Sequence, residues 1–374
     1  MLLNKIYQNF FIEIFKTFLI IVLGLSLIAL TVRAVNFLEL IVENGYPVSI
    51  YFQYSFLNLF GIAPKFIPLA YLVAILVFLI KHLNDSEFLI LWTTGVKKIK
   101  IINLFMYSSF AVIIFYIIFA VFLTPYALNK SRQLLSNDQL NSFLPTIRSQ
   151  QFTDTFKGFT FIAENKINKE VKNIFLYDSG NNLDNLSPDS SNISNTTIIA
   201  KKGIIDKRNL FLLNGQIISS KNNGEETEII KFDQLKVNLS QLVTTTIKKT
   251  KIQETSTTKL LKCFSSNFLK SEVCKKDAGK EIIPVLVRRM ILPLYIPVIA
   301  LICSFLLIKD NKIYYNKVSV FVYSLALIIF SELVLRYTGI NSLIRIFYSL
   351  LPFLLFVIFY CFLFFKFSKE VKFQ

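Results

Sequence analysis

The chain reads as an α-helical transmembrane bundle of six helices, three and three, around an inserted all-β domain of sandwich or jelly-roll type. Three observations predict this. The 374 residues are 53% hydrophobic and include 38 Phe, more apolar surface than a soluble protein of this size can hide. That surface gathers into long runs at 17–32, 66–80, 101–123, 290–308, 318–335 and 348–365. Between the third and fourth runs the chain turns polar and rich in Asn, Ser, Thr and Lys, with short alternating segments. The expected domains are 1–125, 126–285 and 286–374.

Composition narrows the partners. The net charge of +17 would raise nucleic acid, but the Lys and Arg are scattered among apolar spans with no basic face interleaved with stacking aromatics. Anionic membrane lipid is the better match, and no nucleic acid is expected. Cys303 and Cys361 lie in apolar runs; Cys263 and Cys274, in the polar region, can form a disulfide or stay unpaired, and no CxxC spacing exists. A single His, His82, excludes multi-histidine metal sites. The first apolar run is long and lacks a small-x-small cleavage site, so it is expected to stay as a helix.

Residues 1–16 are mildly amphipathic and flow into the first span, which is expected to continue past Arg33 toward residue 42 because no Pro or Gly interrupts it. At about 1.5 Å per residue Arg33 stands roughly 25 Å above Lys16, near the far interface of the hydrocarbon. A cation there either snorkels to lipid phosphate or holds the acidic group of a lipid substrate. The second span carries Pro64, Lys65 and Pro68 ahead of a clean run and is expected to begin irregularly near Phe66.

Residues 81–100 join the second and third spans. Asn84 and Asp85 suit an N-cap, Glu87 falls in the first turn where the helix dipole favours an anion, and Gly95 stands where a C-terminal cap ends the helix. Phe88, Leu91 and Trp92 fall at i, i+3 and i+4, one apolar face followed by Lys97, Lys98 and Lys100. Such an interfacial helix is either a docking handle for a partner or an inert turn on the lipid.

The third span is expected to end at Thr124 and Pro125, with a helical stalk at 128–144. Strands are predicted at 151–156, 159–164, 172–177, 196–205, 210–219 and 227–239. Turn signals separate them at Lys157-Gly158 and Asn222-Asn223-Gly224; Asn214-Gly215 falls inside the fifth, which reads as one strand or two. Residues 180–195 form a polar loop and 256–281 a basic connector. The fourth span follows Arg288 and Arg289 and carries Pro293 and Pro297. Near the end of the fifth, Glu332 precedes Arg336 by four residues, either as a self-neutralised pair or with Arg336 available to a phosphate in a lipid-filled cavity.

Eleven Lys, among them Lys5, Lys81, Lys97, Lys98, Lys100, Lys317 and Lys366, fall on one side of the membrane, and only Lys65, Arg336 and Arg345 clearly on the other. The positive-inside rule puts both termini and the 81–100 turn in the cytosol and the β-domain outside. No GxxxxGK[ST] loop, HExxH, GxSxG or carboxylate cluster is present, so no catalytic residue, metal or cofactor is expected. If the chain transports actively, the energy enters through a partner.

The pattern resembles the LptF/LptG permeases, the YjgP/YjgQ family, over nearly the whole chain. The most specific residues are Phe66-Ile67-Pro68-Leu69, Ser86-Glu87 followed by Gly95, and Val287-Arg288-Arg289 before Pro293. Arg33, Gln150-Gln151-Phe152, Gly158 and Phe161-Ile162 look more like the LptF branch. The resemblance implies a bacterial inner-membrane permease that pairs with a second, LptG-like permease and an LptB-like cytosolic ABC ATPase dimer, which binds the ATP. It extracts lipopolysaccharide and hands it from the β-jellyroll to an LptC-like bridge. Carried over, the 81–100 turn is the coupling helix, with Glu87, Phe88, Leu91, Trp92 and Gly95 as coupling residues; Arg33 and Arg336 face lipid phosphate, and the first and fifth spans form lateral gates. Glu332 and the basic connector depart from the family pattern. The rival readings are a membrane-anchored envelope scaffold, which needs fewer than six spans, and a permease for another lipid or lipoprotein.

Overall fold

The computed structural model describes residues 5–42, 46–146, 150–156, 158–167, 170–179, 193–206, 209–221, 227–238, 251–263, 279–308 and 316–371. Among them are six helical stretches long and apolar enough to cross a membrane: Lys5–Val42, Val48–Asn84, Lys98–Leu135, Gly279–Leu307, Lys317–Tyr337 and Ser342–Ser368. They comprise α1 (Lys5–Phe37), α2 (Glu39–Val42), α3 (Val48–Asn84), α5 (Lys98–Ile117), α6 (Thr124–Thr146), α8 (Gly279–Met290), α9 (Tyr295–Cys303), α10 (Lys317–Tyr337) and α11 (Ser342–Val371). Two short helices complete the set, α4 (Glu87–Thr93) and α7 (Thr257–Lys262). The chain divides into two compact units, Met1–Thr31, Asn58–Asn129 and Lys251–Gln374 in one, Val32–Leu57 and Lys130–Thr250 in the other.

The first unit is a bundle around α9, in which every residue from Tyr295 to Cys303 is buried. α1 contributes one stripe, Tyr7, Phe10, Ile14, Phe18, Val22 and Ser26, at the three- and four-residue spacing of a single helix face. The share of apolar window buried is 78% for the α8–α9 span but 17% for the α1 span, 22% for α10 and 17% for the α11 span. Helices this apolar and this exposed require lipid or another protein around them.

Proline explains where the spans differ from expectation. The second does not begin near Phe66: α3 runs unbroken through Pro64 and Pro68. Nor does the third stop at Thr124-Pro125, since a π-helical stretch, Ile118–Leu123, carries it into α6, which supplies the expected stalk. A proline inside a helix strips the carbonyl four residues earlier of its donor, and hydrocarbon offers no water to replace it. Here hydroxyls replace it. The Thr124 hydroxyl donates to the Phe60 carbonyl below Pro64 at 2.7 Å, and the Tyr295 hydroxyl to the Tyr348 carbonyl below Pro352 at 2.9 Å. Val121, four residues before Pro125, accepts from the Thr257 hydroxyl at 3.4 Å. Beside Pro284 the chain packs closely: a Cβ on Gly339 would come within 2.0 Å of the Lys280 carbonyl oxygen, so only glycine fits.

Arg288 and Arg289 lie within α8 instead of ahead of the fourth span, and a 3-10 turn at Leu292–Leu294, holding Pro293, links α8 to α9. A 3-10 turn at Ile252–Glu254 precedes the connector, which is helical in α7; its residues 264–278, Cys274 among them, lie outside the described residues, as do the Asn222-Asn223-Gly224 turn and most of the 180–195 loop. Cys263 is disulfide-bonded, while Cys303 and Cys361 are free.

The second unit holds the β-domain. Strands β1 (Thr153–Phe156), β2 (Phe159–Ile167), β3 (Glu170–Asp178), β4 (Ile193–Asp206), β5 (Asn209–Lys221) and β6 (Thr227–Asn238) form one antiparallel sheet in chain order. No Greek-key crossover occurs among the described strands. Asn214-Gly215 makes no turn, because β5 keeps its register through it, from Lys202↔Leu213 to Ala200↔Gly215. Along β3 the inward set changes parity from Val171 to Ile174 and Leu176, and along β5 from Leu210 and Leu212 to Ile217 and Ser219. Asn173 and Asn214, with φ of 49° and 52°, stand at those switches. The sheet is creased there, and the inward residues of both halves form one cluster. A single folded sheet thus encloses the core that a sandwich builds from two.

Candidate functional site

At one end of the bundle the chain turns from α3 into α4. Neither Asn84 nor Asp85 caps α4, contrary to expectation. The Asp85 amide donates to the Lys81 carbonyl at 2.9 Å and so prolongs α3, and the Asn84 side chain accepts from Lys317 Nζ at 2.9 Å. Ser86 is the N-cap residue, left-handed at φ 58° and without a side-chain capping bond. The far end is as predicted. Gly95 has φ 86°, and the amides of Gly95 and Val96 donate to the carbonyls of Trp92 and Leu91 at 3.1 and 3.0 Å, a paired closure that favours glycine.

Phe88, Leu91 and Trp92 do share a face, but that face turns inward. Phe88 is 1% exposed, and Leu91 and Trp92 pack against the same core. Lys98 Nζ lies 4.8 Å from the centre of the Trp92 ring and 5.2 Å from that of Phe367 on α11, pinning both by cation–π attraction. The outward surface is Leu89, Ile90 and the half-buried Glu87. Beside it lies a groove of about 310 Å³, lined by Ile6, Asn9 and Phe10 of α1 and Glu87, Ile90 and Leu91 of α4.

Glu87 has a neighbour that sequence reasoning missed. His82, 2% exposed, stands between two carboxylates, with Nε2 3.3 Å from Glu13 and Nδ1 3.4 Å from Glu87. Neither nitrogen meets hydrogen-bond geometry, so the attraction is electrostatic at most. Phe10, Phe78 and Phe88 enclose the imidazole, and Lys81 pairs with Glu13 at 2.7 Å. In the sequence the lone histidine bears only on metal sites; its five-residue spacing to Glu87 is the available signal, and Glu13 offers none.

Charges also gather at the opposite end, fixed as opposite because Lys317 at the start of α10 meets Asn84 while Arg336 ends that helix. Glu332 does not pair with Arg336. It pairs with Arg288 of α8, an interhelical partner that beats the i, i+4 one. Arg336 is exposed and has no ion pair among the described residues. Arg289 is buried and fully used, donating to the carbonyls of Thr255 and Gln253 at 3.1 and 2.9 Å and to the Thr257 hydroxyl at 2.8 Å. Arg33 belongs to the second unit, exposed on α1 between the exposed Val32 and Val35, again with no ion pair among the described residues. The five predicted coupling residues therefore come together in one turn, and the two predicted lipid contacts lie elsewhere.

A family model described as lipopolysaccharide export system permease LptF/LptG matches residues 10–366, nearly the whole chain. The chain belongs to this family. The match does not separate the LptF branch from the LptG branch, and no curated protein matches the chain. The permease is accordingly an integral inner-membrane protein of lipopolysaccharide export, a transport subunit in a family that is not enzymatic.

The motifs that carried the resemblance occupy structural positions in the permease. Ile67 is wholly buried in α3, Val287-Arg288-Arg289 is the charged turn of α8, and Gln150, with φ 63°, donates its amide to the Ala163 carbonyl at 2.7 Å where the chain enters the sheet.

Proposed function

We propose that the permease is the non-catalytic membrane subunit of an ATP-driven exporter that extracts lipopolysaccharide from the inner membrane and passes it to a periplasmic bridge. ATP is bound and hydrolysed by a cytosolic ABC ATPase dimer seated against α4. A second, related permease faces the largely unburied α1 and α10, and an LptC-like protein receives substrate from the β-domain. The observation that carries this is α4 itself: a short helix, braced from behind by Phe88 and Trp92, that presents Glu87, Leu89 and Ile90 beside a groove. The apolar edge alone would also suit lipid; the groove beside it and the half-exposed carboxylate suit a protein partner better.

Two features support the orientation. Lys81, Lys97, Lys98 and Lys317 cluster with α4, the basic end that stays in the cytosol. At the other end the disulfide of Cys263 requires an oxidising compartment, as the periplasm is.

Replacing Glu87 by Ala is expected to weaken retention of the ATPase by about tenfold, the worth of one charge-assisted contact, with membrane insertion unchanged. Undiminished co-purification would remove Glu87 from the interface. Arg33 and Arg336 are assigned to lipid phosphate. For Arg33→Ala, photo-crosslinking of lipopolysaccharide from a probe at Val32 should fall; equal yield would leave Arg33 as a snorkelling anchor.

A further inference from the structure

His82 is the single histidine of the chain, and both its ring nitrogens are shut off from solvent without a hydrogen bond. Buried polar atoms left in that state call for another partner. Each nitrogen faces a carboxylate, Nε2 that of Glu13 on α1 at 3.3 Å and Nδ1 that of Glu87 on α4 at 3.4 Å. A neutral imidazole turns an N–H to one side and a lone pair to the other, so it suits one carboxylate and repels the second, whereas the imidazolium attracts both. The arrangement fits the charged ring, inside a cage of Phe10, Phe78 and Phe88 where charges are little screened. The titratable groups around it are few. Lys81 pairs with Glu13, Asp85 adjoins Lys81, Tyr7 shares the buried stripe of α1, and Lys98 of α5 contacts Trp92, which stacks on Phe88. Glu13 therefore keeps a cation whatever the state of the ring, but Glu87 has no ion pair except His82 among the described residues. Loss of the imidazole proton is felt at α4.

We infer that His82 is a proton-operated tie between α4 and the bundle. As the imidazolium it draws Glu13 and Glu87 together and fastens α4 to α1; as the neutral ring it releases Glu87, and α4 loosens. Histidine changes charge between about pH 5 and 8. The tie is made only by the protonated form, so it holds at the lower end of that window and is lost as pH rises through it. A helix passes movement to the bundle only while it is fastened there, so coupling through α4 comes to depend on the pH on its side of the membrane. The inference deepens the reading of α4 as the coupling helix and rests on it for its role. The tie itself is tested without an ATPase, so its failure and that of the coupling reading are separate results.

Because the chain has one histidine, the purified full chain with a histidine-free tag and ring-labelled histidine reports on His82 alone. Its nitrogen resonances should pass from the charged to the neutral form between about pH 6 and 8. Over the same range, amide-exchange protection of residues 87–95, corrected for the intrinsic rate, should fall about fivefold, with α9 unchanged. His82→Phe and Glu87→Gln should both sit near the parent's high-pH level throughout, with unchanged α9 protection showing that each is folded. Glu87→Gln keeps the side chain's volume and removes only its charge, so it answers for the ion pair where His82→Phe answers for the ring. A ring whose charge state is constant across the range overturns the inference. So does protection of 87–95 that ignores pH in the parent, or an equal fall in His82→Phe.

Discussion

At the scale of single residues the bundle depends on hydroxyls that stand in for missing backbone donors. Thr124 and Tyr295 each serve a carbonyl that proline has stripped, in segments where an unpaired buried acceptor costs about 1–3 kcal/mol. Thr124→Val keeps the shape and loses the donor, so it should lower stability by about that much, seen as a reduced Tm in detergent, whereas Thr124→Ser should recover most of it. Equal melting of all three proteins would show that Phe60 needs no partner. This also explains a limit on reading spans from sequence. Pro64 and Pro125 were legible as helix breakers, but the hydroxyl that lets a helix continue lies 64 residues from the carbonyl it serves. No local pattern reveals it. Asn214-Gly215 leaves one strand or two open for the same reason: the dipeptide is a hairpin signal, yet a Cβ at Gly215 would come within 2.4 Å of the Ile199 carbonyl oxygen, so the glycine serves a close strand approach inside β5.

At the scale of elements, α4 shows what periodicity can and cannot say. Its existence, its three-residue face and its Gly95 stop were legible because each is a local consequence of helix geometry. The direction of that face was not, since a stripe of three apolar residues fits core and lipid equally well. Burial decides it, and burial of Phe88 brings Glu87 to His82. The imidazole lies between α4 and Glu13 of α1, so it is the natural positioning residue for the proposed coupling turn. His82→Phe keeps an aromatic ring in the cage while leaving the two carboxylates with no basic group between them. Amide hydrogen exchange across residues 87–95 should rise several-fold, the response to losing about 1 kcal/mol of local stability, with exchange in α9 unchanged. A flat exchange profile would leave His82 as filler.

At the scale of the whole molecule the charges of the bundle are sorted by end, which gives the exporter reading a test that does not involve its partners. The end bearing α4 carries Lys81, Lys97, Lys98 and Lys317; the other carries Arg336 and the disulfide of Cys263. If the first faces the cytosol, the lipid phosphate contact proposed for Arg336 lies toward the outer leaflet, where a substrate bound for the periplasm must be taken up. Single cysteines decide this in a background with Cys303 and Cys361 replaced by Ser. Lys97 beside α4 and Phe152 at the entry to the sheet are both exposed, so reagent access there depends on the compartment. In intact spheroplasts a membrane-impermeant maleimide should label Phe152→Cys and spare Lys97→Cys, and permeabilisation should make both reactive. Labelling of both without permeabilisation would put the coupling turn and the β-domain on one face of the membrane. No ATPase in the cytosol could then drive a handover in the periplasm, although the fold itself would stand.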